Sequence, residues 1–142
     1  MVLEGKYEAR LNVISHYKGL VYLKGRIKDT NISLLLDSGA TNLFVNSSCA
    51  KRLELKTTPT KEAVKVAFAQ GESLATYVVP RLSFEVQNTK LSEDFTMCDL
   101  NGVDFVLGNT FVDFYGVEIT RRPKLDVVMM GVNGKPTTLN HI

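Results

Sequence analysis

From Tyr7 onward the apolar residues tend to alternate with polar ones, and β-branched and aromatic side chains are plentiful, so the chain predicts mostly strands. Leu20 to Ile27 reads as one strand, Lys28 to Asn31 as a polar turn, and Ile32 to Leu36 as a strand apolar enough to be buried on both faces. Leu43 to Val45 is a short strand, and Asn46 to Leu53 sets capping residues before helix formers, which predicts a short helix. Val64, Val66 and Phe68, then Leu74, Thr76 and Val78, alternate on either side of Ala69-Gln70-Gly71-Glu72, the pattern of a hairpin with a glycine at its tip. Further strands are expected at Leu82 to Val86, Leu91 to Cys98 and Phe105 to Leu107, and one or two helical turns at Asn109 to Tyr115. Leu125 to Met130 and Thr137 to Leu139 flank Asn133-Gly134, a two-residue hairpin signal. Nothing in Met1 to Glu8 reads as ordered structure, so the expected core runs from about residue 7 to 139.

With 142 residues and no internal repeat or linker, the expectation is a single domain, 1–142, that buries a core without disulfides or metals. A net charge of +2 on dispersed cations does not point to nucleic acid, and no apolar run reaches the length of a membrane span. The two cysteines, Cys49 and Cys98, lack metal-type spacing, and no secretory pattern opens the chain. A reducing compartment is therefore expected, and the triplets at Asn31 and Asn46 are not read as glycosylated.

The chemistry concentrates in Leu34-Leu35-Leu36-Asp37-Ser38-Gly39-Ala40-Thr41, a carboxylate at the end of an apolar strand followed by a hydroxyl, a glycine and a small residue. A carboxylate in apolar surroundings costs free energy unless hydrogen-bonded, and Ser38 with the amides around Gly39 can supply those bonds. Gly39 also permits close approach of another backbone. The same three residues equally suit a plain turn at a strand end.

In its wider context this segment resembles the retropepsin family of aspartic proteases, most closely the gypsy-type retrotransposon branch, over about Lys18 to Leu139. An apolar strand ends in Asp-Ser-Gly-Ala; Thr41 to Val45 and a helix follow; then a flap-like hairpin with Ala69-Gln70-Gly71 at its tip. Downstream comes Val106-Leu107-Gly108, preceded by Asp104 and followed by Phe111-Val112. The resemblance implies an all-β half-barrel with one or two short helices, active as a homodimer on extended polypeptide, with no metal or cofactor. It assigns catalysis to Asp37, Ser38 and Gly39 and substrate binding to Ala40, Thr41, Ala69, Gln70, Gly71, Val106 and Leu107. It further implies processing of a Gag-Pol-type polyprotein, in the cytoplasm or inside virus-like particles. Two positions depart from retroviral members: Asn109 stands where an arginine is usual, and Thr41 where many have an acidic residue.

The chain holds no second Asp-Ser/Thr-Gly, so a second carboxylate has to come from a second copy, with Asp37 beside its symmetry mate. The rival reading is a retropepsin-like dimerisation or peptide-binding module with little cleavage. A thiol protease built on His16 with Cys49 or Cys98 lacks any local signature, and two isolated histidines make poor zinc ligands.

Overall fold

The structure, a computed structural model, describes residues 7–11, 21–68, 71–100, 102–131 and 134–142. Its elements are β1 (Tyr7–Leu11), β2 (Val21–Ile27), β3 (Thr30–Leu36), β4 (Leu43–Asn46), α1 (Ser47–Arg52), β5 (Thr58–Phe68), β6 (Gly71–Val86) and β7 (Thr89–Cys98). They are followed by β8 (Phe105–Leu107), α2 (Asn109–Tyr115), β9 (Val117–Thr120), β10 (Asp126–Met129) and β11 (Thr137–Thr138).

Eight strands share one sheet in the order β1-β5-β6-β2-β3-β8-β4-β7, and because β6 also pairs with β7, the six strands from β6 to β7 close into a barrel. A second sheet of β11-β10-β9 stands beside it. The chain is thus mostly β with two short helices, as its alternation implied. Closure leaves β6, β2, β3, β8, β4 and β7 without free edges inside the barrel.

The barrel is filled from strand faces that alternate as a pleated chain must. Leu23, Leu34, Leu36, Phe84, Phe95, Phe105 and Leu107 belong to the main cluster, where Phe95 meets Phe84 and Phe105 edge-on at centroid distances of 5.6 and 5.8 Å. Such pairs contribute about 0.5–1.5 kcal/mol each beyond the area they bury. Phe111 of α2 is 1% exposed and seats that helix on the same core. A second, smaller cluster joins Leu35, Ala40, Phe44, Val66, Ala75 and Val106, together with Cys98.

Several local features differ from expectation. The strands expected at Leu74 to Val78 and Leu82 to Val86 are one long strand, β6, with a bulge between Val79 and Leu82. Pro80 lacks an amide for the ladder, and a bulge is where a sheet tolerates that loss. Arg81 there takes φ +47°, and its N–H donates to Asp94 Oδ1 at 2.7 Å. β1 was not anticipated as an element; it pairs in parallel with β5 from Tyr7↔Val64 to Leu11↔Phe68. β9 was not anticipated; it begins just after Gly116, whose φ of +59° ends α2 in a left-handed cap. The signal at Asn133-Gly134 is corrected too: β10 and β11 do pair, at Met129↔Thr137, but residues 130–136 separate them instead of a two-residue turn. Asn133 itself lies outside the described residues.

Candidate active site

β3 carries the chain into the Asp37 loop and β4 carries it away, yet the two strands are not neighbours, because β8 lies between them. It runs parallel to β3 (Leu36↔Leu107) and antiparallel to β4 (Leu43↔Leu107). The Asp37 loop is thereby clamped from one side by a strand arriving from seventy residues downstream. Asp37 N–H donates to Leu107 O at 3.0 Å, Asn109 N–H to Ala40 O at 2.7 Å and Thr110 N–H to Thr41 O at 3.2 Å. Within the loop, Ala40 N–H donates to Asp37 O at 3.1 Å.

Gly108 makes this crossing possible. A Cβ placed there would lie 2.3 Å from Asn42 O and 2.7 Å from Ala40 O, both backbone atoms that cannot swing aside. Gly108→Ala should therefore force the two loops apart and cost about 1–3 kcal/mol, and loosen the support of the carboxylate. Urea unfolding reads the first effect; a midpoint within error of the parent would show that the crossing has slack.

The carboxylate itself is half satisfied. Asp37 Oδ1 accepts the Gly39 N–H at 2.8 Å, whereas Oδ2 is buried with no hydrogen-bond partner among the described residues. Burial raises the Asp37 pKa above its ordinary 3.8, and the Gly39 N–H opposes that rise only in part. Gly39 thus does what its position promised, while Ser38 is exposed to solvent and outside the bonds Asp37 makes. Thr41 is part-buried, its hydroxyl donating to Asn42 Oδ1 at 2.5 Å.

Of the residues expected to line substrate, Ala40 and Val106 are 0% exposed in the second apolar cluster. Val66 of β5 and Ala75 of β6 belong to that cluster, so the β5–β6 hairpin covers this part of the floor. Leu107, next to Val106 on one strand, faces the other way, into the main core, and its carbonyl accepts the Asp37 N–H. Gly71 opens β6 opposite Phe68, and Ala69 and Gln70 lie outside the described residues.

Two supports escaped sequence reasoning. Asn46, expected to cap α1 with its side chain, instead donates from Nδ2 to Leu100 O at 3.1 Å and accepts the Leu100 N–H on Oδ1 at 3.2 Å. Arg52 reaches Asp104 Oδ2 at 3.1 Å, and the Asp104 carbonyl accepts the Asn46 N–H at 2.8 Å, tying α1 to the start of β8. Neither cysteine is poised as a nucleophile: both are buried, burial raises the Cys49 pKa, and burial with help from Asp99 pushes the Cys98 thiol up to about 12.

The model of the family described as "gag-polyprotein putative aspartyl protease" matches residues 23–113, from within β2 into α2. The chain belongs to this family. Its fold is that of the retropepsin-like aspartic proteases. The retroviral protease-like domain of Ddi1 from Leishmania major superposes with a TM-score of 0.60 at 14% identity, covering 87% of this chain and 94% of that one. The EIAV protease complexed with the inhibitor HBY-793 superposes with a TM-score of 0.59 at 15% identity, over 76% of this chain and 99% of that one. No curated protein sequence matches the chain.

Proposed function

We propose that this aspartyl protease family member is an active endopeptidase that cleaves extended peptide at a dyad formed by Asp37 of two identical subunits. The observation that carries the reading is the Asp37 carboxylate, with one oxygen held by Gly39 and the other buried and without a partner among the described residues. An orphaned buried oxygen is costly in a lone subunit and useful beside a second carboxylate, where a proton can bridge the pair. Two full charges about 3 Å apart would repel by roughly 5 kcal/mol at an effective dielectric of 20, so one proton is retained between them, as aspartic-protease dyads generally do.

The ionised Asp37 then takes a proton from a water as its oxygen attacks the scissile carbonyl, while the protonated Asp37 donates to the carbonyl oxygen. Collapse of the tetrahedral intermediate breaks the C–N bond, and the proton goes to the leaving amine. The β5–β6 hairpin acts as the flap. Lifting it uncovers the apolar floor around Ala40 and Val106, and lowering it excludes water over an extended substrate. Polyprotein of the Gag-Pol type is the proposed substrate, in the cytoplasm or inside virus-like particles.

Digestion of a peptide library, with the Asp37→Asn chain alongside, tests the reading and reports specificity. Absence of any Asp37-dependent cleavage at any pH would leave the rival reading, a retropepsin-like module that dimerises or binds peptide without cutting it. The raised Asp37 pKa sets the expected pH profile: kcat/KM should be bell-shaped with its maximum on the acidic side of neutrality, its two limbs belonging to the pair. A rate that climbs steadily to about pH 9 would exclude a carboxylate dyad.

A further inference from the structure

β3 enters the Asp37 loop at one end and begins at Thr30 at the other, so its two ends lie roughly 20 Å apart at about 3.3 Å per residue. Thr30 borders a cleft of about 640 Å³ that contains no residue of the Asp37 loop, β8 or the hairpin arm 58–78. Its walls are the β2–β3 turn, the segment after α1 and the bulged part of β6. A volume of this order is that of a ligand site.

Charge is concentrated there. Arg26, Lys28, Lys56, Arg81 and Lys90 line the cleft against two carboxylates, Glu54 and Glu85, a local excess of three in a chain whose formal net charge is only +2. Glu85 is already engaged by Arg26 at 2.6 Å, and Lys28, Lys56, Arg81 and Lys90 make no ion pair among the described residues.

The backbone around the cleft is also unusual. Lys28, Glu54 and Arg81 take φ values of +51°, +54° and +47°, so three of the five left-handed non-glycine residues among those described sit on this rim. Arg81 is the clearest case. A β-bulge turns the strand at that point, the Asp94 carboxylate holds the Arg81 amide at 2.7 Å, and a long cation occupies a conformation that glycine or asparagine would adopt more easily. The cleft is also lined by Leu53, Leu55 and Pro80, each part-exposed, and by the buried Leu82.

From this combination we infer that the cleft binds an extended acidic polypeptide segment, with carboxylates on the cationic rim and intervening apolar side chains on the Leu53-Leu55-Pro80 floor. An extended chain presents alternate residues to opposite sides, which suits a rim of one character above a floor of another. Single-stranded nucleic acid fits less well. It needs exposed aromatic rings to stack on, and the one aromatic in the lining, Phe84, is 2% exposed. Binding at this cleft does not depend on Asp37 or on peptide cleavage.

The test is fluorescence anisotropy of a labelled peptide of about ten residues, rich in glutamate with interspersed leucines, titrated with the Asp37→Asn chain so that the probe survives. The triple substitution Lys28→Asn, Lys56→Gln, Arg81→Asn should weaken binding by about tenfold or more, since asparagine keeps the left-handed backbone while removing the charge. Removing three cations elsewhere, by Lys61→Gln, Arg122→Gln and Lys124→Gln, should change it by less than about twofold. A glutamine-for-glutamate probe should bind poorly. Equal losses in both triple variants, no binding of the acidic probe below about 1 mM, or an oligouridylate of the same length binding more tightly than the peptide would each overturn the assignment. Should the cleft triple melt early, Arg81→Asn alone, with circular dichroism as a check, must still weaken binding by a measurable factor for the proposal to stand.

Discussion

Asp37→Asn should abolish peptidase activity, by a factor on the order of a thousand or more, without weakening the fold. Asparagine has the shape of aspartate, so its Oδ1 can keep the Gly39 N–H bond at the same place. What it lacks is a titratable proton, and both roles assigned to the dyad require one. Stability supplies a second readout with a definite sign. The Asp37 pKa is raised above 3.8 in the folded subunit, so between 3.8 and that higher value the folded chain holds a proton that the unfolded chain has released. Stability linked to this group is therefore present below 3.8 and is lost as the pH rises through the folded value. Asparagine is never charged and escapes that loss, so at neutral pH the melting temperature of dissociated Asp37→Asn subunits should equal or exceed that of the parent. The difference should shrink as the pH is lowered toward 3.8. Retention of activity within about tenfold would refute the assignment of Asp37 as the catalytic carboxylate.

Much of the barrel was legible because its residues are locally consistent with their elements. Leu34-Leu35-Leu36 announces a strand buried on both faces, and all three are at most 6% exposed. Asp37-Ser38-Gly39-Ala40 marks the loop, and Val106-Leu107-Gly108 marks the strand that clamps it, since only glycine leaves room for the Asn42 and Ala40 carbonyls. The hairpin arms, α1 and α2 were likewise where the chain's periodicity put them.

What the sequence concealed is mostly non-local. The parallel pairing of β1 with β5 joins Tyr7 to Val64, and nothing near Tyr7 encodes a partner so far along the chain. The two roles of Asn46 were indistinguishable in advance, because the amide that suits a helix cap equally suits a bridge to Leu100. β9 did carry a signal in Val117-Glu118-Ile119-Thr120, a short alternation after a helix-ending glycine. Val106 and Leu107 carried one too: adjacent residues on a strand cannot both face the site.

Mixing inactive with active subunits should poison activity beyond simple dilution, the second large effect expected of this chain. Each subunit brings one Asp-Ser-Gly, so in the proposed dimer a wild-type chain is productive only when paired with another wild-type chain. If wild-type chains are dissociated, mixed with a ninefold excess of Asp37→Asn chains and reassembled, random pairing leaves about one wild-type chain in ten with a wild-type partner. Activity should fall about tenfold relative to the same amount of wild-type chain reassembled alone, both at a wild-type concentration well above that at which the parent loses activity on dilution. That concentration matters because dimers dissociate on dilution, which would lower the activity of the control through mass action and hide the poisoning. The backbone clamp at Asn109 and Thr110 lies within one subunit, so dissociation need not disturb the Asp37 loop, and the lost partner carboxylate is then the change that the assay reads. Labelled chains establish that exchange has occurred. Given that exchange, activity that tracks wild-type chains alone would mean each subunit holds a complete site, and the unpartnered Asp37 oxygen would need a role that does not involve a second copy.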